Sequence, residues 1–366
     1  MTVPTPKILF ILPYPLEKAP SQRFRVEQFL PLLDEQNIEY KLATFMDEKT
    51  WDILYKGDSV LQKAWGIIKG YLKRWKHVLV DVHRYNTVFV HREAAPLGPP
   101  VFEWVISKLW QKKMIYDFDD AIWIPNTTAE NKLVSYFKSF WKVRKICKWS
   151  SIVTAGNHFL ASYAKQSGAK NVVYLPTIVD TDNRYIPKAS ANEKVVPVIG
   201  WTGSHSTLKY LDEIISVLQN IEKEVEFKFL VIANKNPELE LKNFEFINWD
   251  AKTEIEDLQK IHIGVMPLTA DKWSDGKCGF KLIQYMALGI PSIASPVGVN
   301  KEIINDGVNG FLVENSLEWK EKILVLLKNQ HLNYEFSKLG REVIKNRYSL
   351  GSQKETFLGL FTNRLV

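Results

Sequence analysis

IGVMPLTADKWSDGKCGFKLIQYMALGIPSIASPVGVNKEIINDGVNG, running from Ile263 to Gly310, is the stretch that decides the fold. The apolar run Ile261, Ile263, Val265 and Met266 reads as a buried strand ending at Pro267. A polar loop follows, in which Gly276 and Gly279 frame Lys277 and Cys278. The helical pattern Phe280, Ile283, Tyr285, Met286, Ala287 comes next; Gly289 stops it, and Pro291–Ala294 begins another strand. A glycine-flanked loop that opens a helix presents free backbone N–H groups and the positive end of the helix dipole. That suits a phosphate, and Lys277 and Lys281 add charge. The competing reading is an ordinary βαβ turn with solvated lysines, in which Cys278 is a small buried filler.

Gly279-Phe280, the helix through Gln284 and Met286–Gly289, Pro291, Ala294-Ser295, Gly298, Glu302, Asp306-Gly307 and Asn309–Leu312 together resemble the nucleotide-sugar signature of glycosyltransferase family 4. The resemblance implies an α/β chain of GT-B architecture, two Rossmann-like domains facing across a cleft. It implies transfer of a sugar, with retention, from a nucleotide diphosphate sugar to an acceptor hydroxyl on a glycan or lipid-linked glycan. Cell-surface polysaccharide or glycoconjugate synthesis is the setting. The nucleotide sugar is a co-substrate, and no further cofactor and no bound metal are expected. The family's two glutamates, eight positions apart, fall here on Gly276 and Gln284, with Asp275 adjacent. Gln284 keeps a hydrogen-bonding head for the ribose but loses the charge. That departure keeps two alternatives in view: a catalytically inactive nucleotide-sugar or membrane-surface binding protein, and a nucleotide-sugar epimerase.

A chain of 366 residues fits two domains better than one. The family pattern divides it into an acceptor-binding domain over 1–185, a nucleotide-sugar-binding domain over 186–348, and a helix over 349–366 returning to the first. The second domain opens on the strand Pro197–Gly200 and the turn Trp201–Ser206, ahead of a helix expected over Leu208–Leu218. In relatives this turn faces the donor diphosphate, which makes Gly203, Ser204 and Lys209 donor-binding candidates beside Lys277, Cys278, Gly279, Phe280 and Gln284. Lys281 is the candidate for stabilising the departing diphosphate.

In the first domain, residues 7–12 form the opening strand, read as a buried strand and not a signal peptide. Arg23 and Arg25 stand at the start of the helix that follows it. The strand 87–91 ends at His91-Arg92, and strand ends of open α/β sheets are where ligands bind. Arg23, His91 and Arg92 are therefore acceptor-binding candidates, against structural hydrogen bonds or salt bridges. Asp117, Asp119 and Asp120 cluster at the next strand end, where unpaired carboxylates would be costly. Strand alternation puts Asp117 and Asp119 on one face and Asp120 on the other. Asp119 and Asp120 are the acceptor-facing catalytic candidates, with a helix N-cap as the plain alternative.

The net charge of +7 is unevenly spread. Ser59–Val80 carries five basic residues and no acid, with Trp65 and Trp75; Asn131–Val179 carries eight and no acid, with Trp141 and Trp149. The aromatics read as faces of amphipathic helices, one of them expected over Leu133–Lys148. Basic residues mixed with tryptophan suit an anionic membrane surface. A solvated basic face is the alternative, and no nucleic-acid module is recognisable. Two cysteines, Cys147 and Cys278, make no disulfide framework and have no metal-ligand spacing. With no apolar stretch near the roughly twenty residues a membrane span needs, a cytoplasmic location is expected, with peripheral attachment at the inner face of the membrane.

Overall fold

The computed structural model describes residues 5–54, 60–125, 138–188 and 196–362. It divides into two compact units, Met1–Thr177 with Gln353–Val366, and Ile178–Ser352.

The first unit is built on six parallel strands: β1 (Lys7–Leu12), β2 (Glu39–Thr44), β3 (Thr87–His91), β4 (Lys113–Phe118), β5 (Ile152–Ala155) and β6 (Val172–Tyr174). Their order is β2-β1-β3-β4-β5-β6. β3 is buried along its whole length and β1 from Ile8 onward, as parallel strands covered on both faces must be. The strand order reverses between β1 and β3, which opens a crevice beyond their C-terminal ends. The register sets His91 beside Asp117. The last helix, Leu350–Gly359, contributes Phe357 to this unit's core, stacked on Phe29 with ring centroids 4.1 Å apart.

The second unit has β7 (Val198–Thr202), β8 (Lys228–Ala233), β9 (Phe244–Asn248), β10 (Ile263–Met266), β11 (Ser292–Ala294) and β12 (Phe311–Leu312). Read from the β9 edge, the order is β9-β8-β7-β10-β11-β12, all parallel, the doubly wound dinucleotide-binding arrangement with its switch point between β7 and β10. Trp201, Ile214, Leu218, Phe229, Val265 and Ile323 are among its core residues.

The crossing into this unit falls between Thr177 and Ile178, earlier than residue 185. Arg341 is the reason. Its guanidinium donates to the carbonyls of Tyr185 (2.8 Å) and Thr181 (2.9 Å), while Val179 and Leu350 exchange backbone hydrogen bonds with Tyr348 and Val179.

Several helices differ from their expected bounds. The expected Leu133–Lys148 helix is found as Lys142–Trp149, while Leu133 and Phe137 lie outside the described residues. The basic segment Ser59–Val80, with Trp65 and Trp75, is helical over Val60–Leu79, preceded by a helix over Glu48–Leu54, with 55–59 outside the description. The helix expected over Leu208–Leu218 begins as a 3-10 turn, His205–Leu211, and becomes α-helical over Asp212–Ile221. Residues 189–195, and 363–366 at the end of the helix expected over 349–366, are likewise outside it.

Candidate active site

In the second unit the loop after β10 is shaped by its glycines. Asp271 caps the short helix Lys272–Asp275, its carboxylate accepting from Ser274 N at 2.7 Å. Gly279 then sits in the left-handed region (φ 68°) as N-cap of the helix Phe280–Ala287. A Cβ there would lie 2.4 Å from Ile303 Cδ1, so both backbone angle and space require glycine. No acidic residue stands in that helix's first turn, and its dipole is uncompensated from within. Lys281 Nζ lies 5.1 Å above the Trp201 ring, which draws it toward the end of β7, and Lys277 Nζ lies 5.4 Å from the Trp273 ring. Cys278 is buried beside them.

The turn after β7 is tied to the same place. Tyr285, from the helix Phe280–Ala287, accepts Thr202 N at 2.8 Å, and burial pushes its phenol well above the usual tyrosine range. Tyr210 and Ser274 hydroxyls meet at 3.2 Å. Gly203 has no room for a side chain, since a Cβ would strike the Trp201 ring at 2.3 Å. Ser204 N donates to Thr207 Oγ1 (3.1 Å), and Ser204 Oγ pairs with Ser206 Oγ. Lys209 Nζ lies 5.3 Å from the Tyr210 ring, and the residue lines a cleft of about 610 Å³ shared with His205, Lys235, Asn236 and Pro237. Lys277 and Lys281 do not line that cleft.

Gln284 is buried, and its amide is committed. Nε2 donates to Tyr185 Oη at 3.0 Å and approaches Glu254 Oε1 at 3.4 Å, while Trp249 Nε1 donates to the same Glu254 oxygen at 3.2 Å. The carboxyl group absent at position 284 is thus present next door, on a residue thirty positions earlier. Neither Glu254 nor Tyr185 was singled out from the sequence, where nothing links them to Gln284.

In the first unit the candidates converge at the ends of β1, β3 and β4. Arg25 and Asp117 form a fully buried ion pair, and Arg25 also donates to Leu175 O. Asp117 further accepts from Thr154 Oγ1 (2.7 Å) and His91 Nδ1 (2.7 Å). Burial alone would raise the Asp117 carboxyl, but the Arg25 guanidinium and the His91 hydrogen bond hold it well below the usual carboxylate range. Arg92, at φ 58°, donates from Nε to Asp119 Oδ1 at 2.8 Å and from its terminal nitrogen to Asp120. Burial opposes the charge on Arg92, yet the Asp119 and Asp120 carboxylates raise its pKa well above the ordinary value; Asp119 is correspondingly lowered against its own burial. Arg23 is buried, its guanidinium 5.0 Å from the Phe24 ring.

Two expectations are corrected here. His91 does not face an acceptor: its ring is fully buried, held by Asp117 on one side and Ser21 Oγ on the other, both within 2.8 Å. Asp119 and Asp120 do not point to opposite faces. β4 ends at Phe118, so strand alternation no longer applies, and both carboxylates close on Arg92. Among the described residues no three His, Cys, Asp or Glu side chains form a ligand set for a metal ion.

Two Rossmann-like sheets, each with its candidates at a switch point, define a fold class. The chain superposes on a sucrose-phosphate synthase from Thermosynechococcus elongatus with a TM-score of 0.71 at 13% identity, covering 98% of this chain and 99% of that one. It superposes on HepE of Anabaena, in complex with UDP and glucose, with a TM-score of 0.66 at 16% identity over 98% and 100% of the two chains. The fold is GT-B, the two-domain glycosyltransferase architecture. Within it, residues 196–329 match the family model described as Glycosyl transferases group 1. An uncharacterized glycosyltransferase of Methanocaldococcus jannaschii is 28% identical over 143 residues, 36% of this chain and 39% of that protein. The match thus spans about two fifths of that relative's length.

Proposed function

We propose that this protein transfers a sugar from a nucleotide diphosphate sugar to an acceptor hydroxyl, with retention, in the synthesis of a cell-surface polysaccharide or glycoconjugate. The observation that carries the reading is the left-handed Gly279 cap opening the helix Phe280–Ala287, with Lys277 and Lys281 at its mouth. Backbone N–H groups and two ammonium groups at one helix terminus favour a diphosphate. They favour it most as the glycosidic bond breaks and its electron pair passes to the departing phosphate oxygen. Gly203 and Ser204 close the other side of the donor site, and Gln284 with Glu254 meets the ribose. The likeness to HepE, crystallised with UDP and glucose, makes a uridine diphosphate sugar the first donor to test.

The first unit supplies the acceptor site. Asp119 and Asp120, held by Arg92, orient the acceptor; the Asp119 carboxyl, lowered beside the guanidinium, is a poor proton acceptor and a good hydrogen-bond acceptor. The acid-free basic segments of this unit support a lipid-linked acceptor delivered at an anionic membrane surface. Thermal shift against UDP, UMP and UDP-sugars tests the donor half. A diphosphate present at a hundred times its Kd adds about 2.7 kcal/mol of stability. Lys281→Ala is expected to weaken UDP binding by about 1.5–3 kcal/mol, the range for a hydrogen bond to a charged group, and Lys277→Ala by less. Equal UDP affinity in wild type and both variants overturns the assignment.

A further inference from the structure

The helix Val60–Leu79 is packed with its apolar side outward. Leu61, Trp65, Ile68, Leu72, Trp75 and Leu79 follow one another at steps of four and three, so they form a single stripe. All six are exposed: Leu61 by 86% and even the most covered, Trp75, by 38%. The opposite, buried face is made of Gly66, Gly70, Arg74 and Val78. Glycine allows that contact. A Cβ on Gly66 would lie 2.5 Å from Thr50, and one on Gly70 would lie 2.4 Å from the Phe45 ring. Arg74 then fastens the helix, donating to the carbonyls of Ala94, Ala43 and Leu12 at 2.7–2.8 Å. The orientation is therefore set by close backbone approach and buried hydrogen bonds, and it leaves the stripe in water.

The patch continues beyond the helix. Trp75 packs edge-on against Phe102, 4.8 Å between centroids, and the exposed Val101, Trp104 and Leu109 belong to the segment around Phe102. Lys69, Lys73 and Lys76 are exposed along one flank of the stripe, and the helix holds no acidic residue. The acids that contact it lie on neighbouring segments: Asp47 is 4.0 Å from Lys73, Asp81 is 4.0 Å from His77 and holds Lys41, and Glu103 is buried on Ala94 N. A two-fold copy of this helix would bring a second lysine row and no carboxylate from the helix itself to pair it.

We propose that the helix Val60–Leu79 lies in the plane of an anionic lipid bilayer, its stripe among the acyl chains and its lysines at the headgroups. Tryptophan at two levels of the stripe suits the headgroup boundary, and lysines beside it suit anionic lipid. The purpose of this face rests on the proposed transfer to a lipid-linked acceptor; its insertion rests on the helix alone.

The test uses the full chain with vesicles of phosphatidylcholine, alone or mixed with phosphatidylglycerol. Wild type is expected to sediment with the anionic vesicles at about 0.1 M salt and to remain partly bound near 1 M, where screening removes the electrostatic share. Trp65→Ser/Leu72→Ser is expected to keep its melting temperature and its UDP-induced shift while losing about tenfold or more in vesicle affinity. Binding abolished by salt, or equal in wild type and variant, overturns insertion, as does a wild-type dimer that the double variant turns into a monomer. A wild type that binds vesicles but shows no nucleotide shift leaves the insertion standing and removes the donor reading instead.

Discussion

His91 and Asp119 meet through a single hydroxyl: Ser21 Oγ lies 2.8 Å from His91 Nε2 and 2.8 Å from Asp119 Oδ1. A serine has one proton to give. Asp119, ionised against Arg92, can only accept, so Ser21 donates to it and accepts from His91 Nε2–H. The other ring nitrogen faces the ionised Asp117 at 2.7 Å. The guanidiniums of Arg25 and Arg92 and the His91 ring thus surround the carboxyl groups of Asp117, Asp119 and Asp120. Ser21→Ala is expected to cost about 1–3 kcal/mol in denaturant unfolding, as buried polar groups lose their partner.

Asp119 and Asp120 belong to the acceptor side of the proposed reaction. Asp120→Asn is expected to lower sugar transfer by about tenfold or more, roughly the loss of one charge-assisted contact, while the UDP-induced thermal shift stays as in wild type. Asp119→Asn is expected to lower transfer as well and to destabilise the first unit, because Ser21 and Arg92 both lean on it. Activity is expected to survive EDTA. Loss on EDTA with recovery on added manganese would reassign these carboxylates to a metal.

Gln284→Glu sets two carboxyl groups against each other, since Glu254 Oε1 stands 3.4 Å from the present amide nitrogen. The pair shares a proton, and at least one carboxyl titrates above its unfolded value. A raised folded pKa means that stability is greatest at low pH and is lost as pH rises through it. The variant is expected to melt closer to wild type near pH 5 than near pH 8. Glu254→Gln is expected to leave that pH dependence unremarkable and to weaken nucleotide binding. A Gln284→Glu protein with the wild-type melting profile at both pH values defeats this account.

His77 carries a second pH dependence. Burial, and then the Arg74 guanidinium, push its imidazole from 6.5 down to about 4, and its Nδ1 is buried with no hydrogen-bond partner. The folded protein keeps the ring neutral where the unfolded chain already binds a proton. The stability it confers is whole above about pH 6.5 and is lost as pH falls toward 4. After allowance for the water that reaches the ring, the loss is about 1–2 kcal/mol. Urea titrations at pH 7 and pH 5 are expected to show that difference in wild type and most of it gone in His77→Gln.

What could be read in advance follows how local its cause is. Gly279 was legible because its conformation and its place before a helix are properties of neighbouring residues. The two Rossmann-like sheets were legible through the family resemblance that the residues from Gly279 to Leu312 carry. The helix Val60–Leu79 was visible as a helix but its facing was not. Which side packs inward depends on Phe45 and Thr50, which only the fold brings against Gly70 and Gly66. Glu254 was invisible for the same reason. The Asp119–Asp120 pairing on Arg92 depended on where β4 stops, a boundary that strand alternation does not reveal.

Phe357 and Phe361 pack with Phe10, Phe29 and Phe89, so residues from near both chain ends fill one aromatic core. This bears on how the protein is made. Synthesis runs from the N-terminus, and domains generally fold as they emerge. Here the earlier unit waits for Phe357 and Phe361 to leave the ribosome, whereas Ile178–Ser352 is complete before them. The Ile178–Ser352 unit therefore can mature first, and a stop codon near residue 352 would spare it while leaving the N-terminal half with a gap in its core.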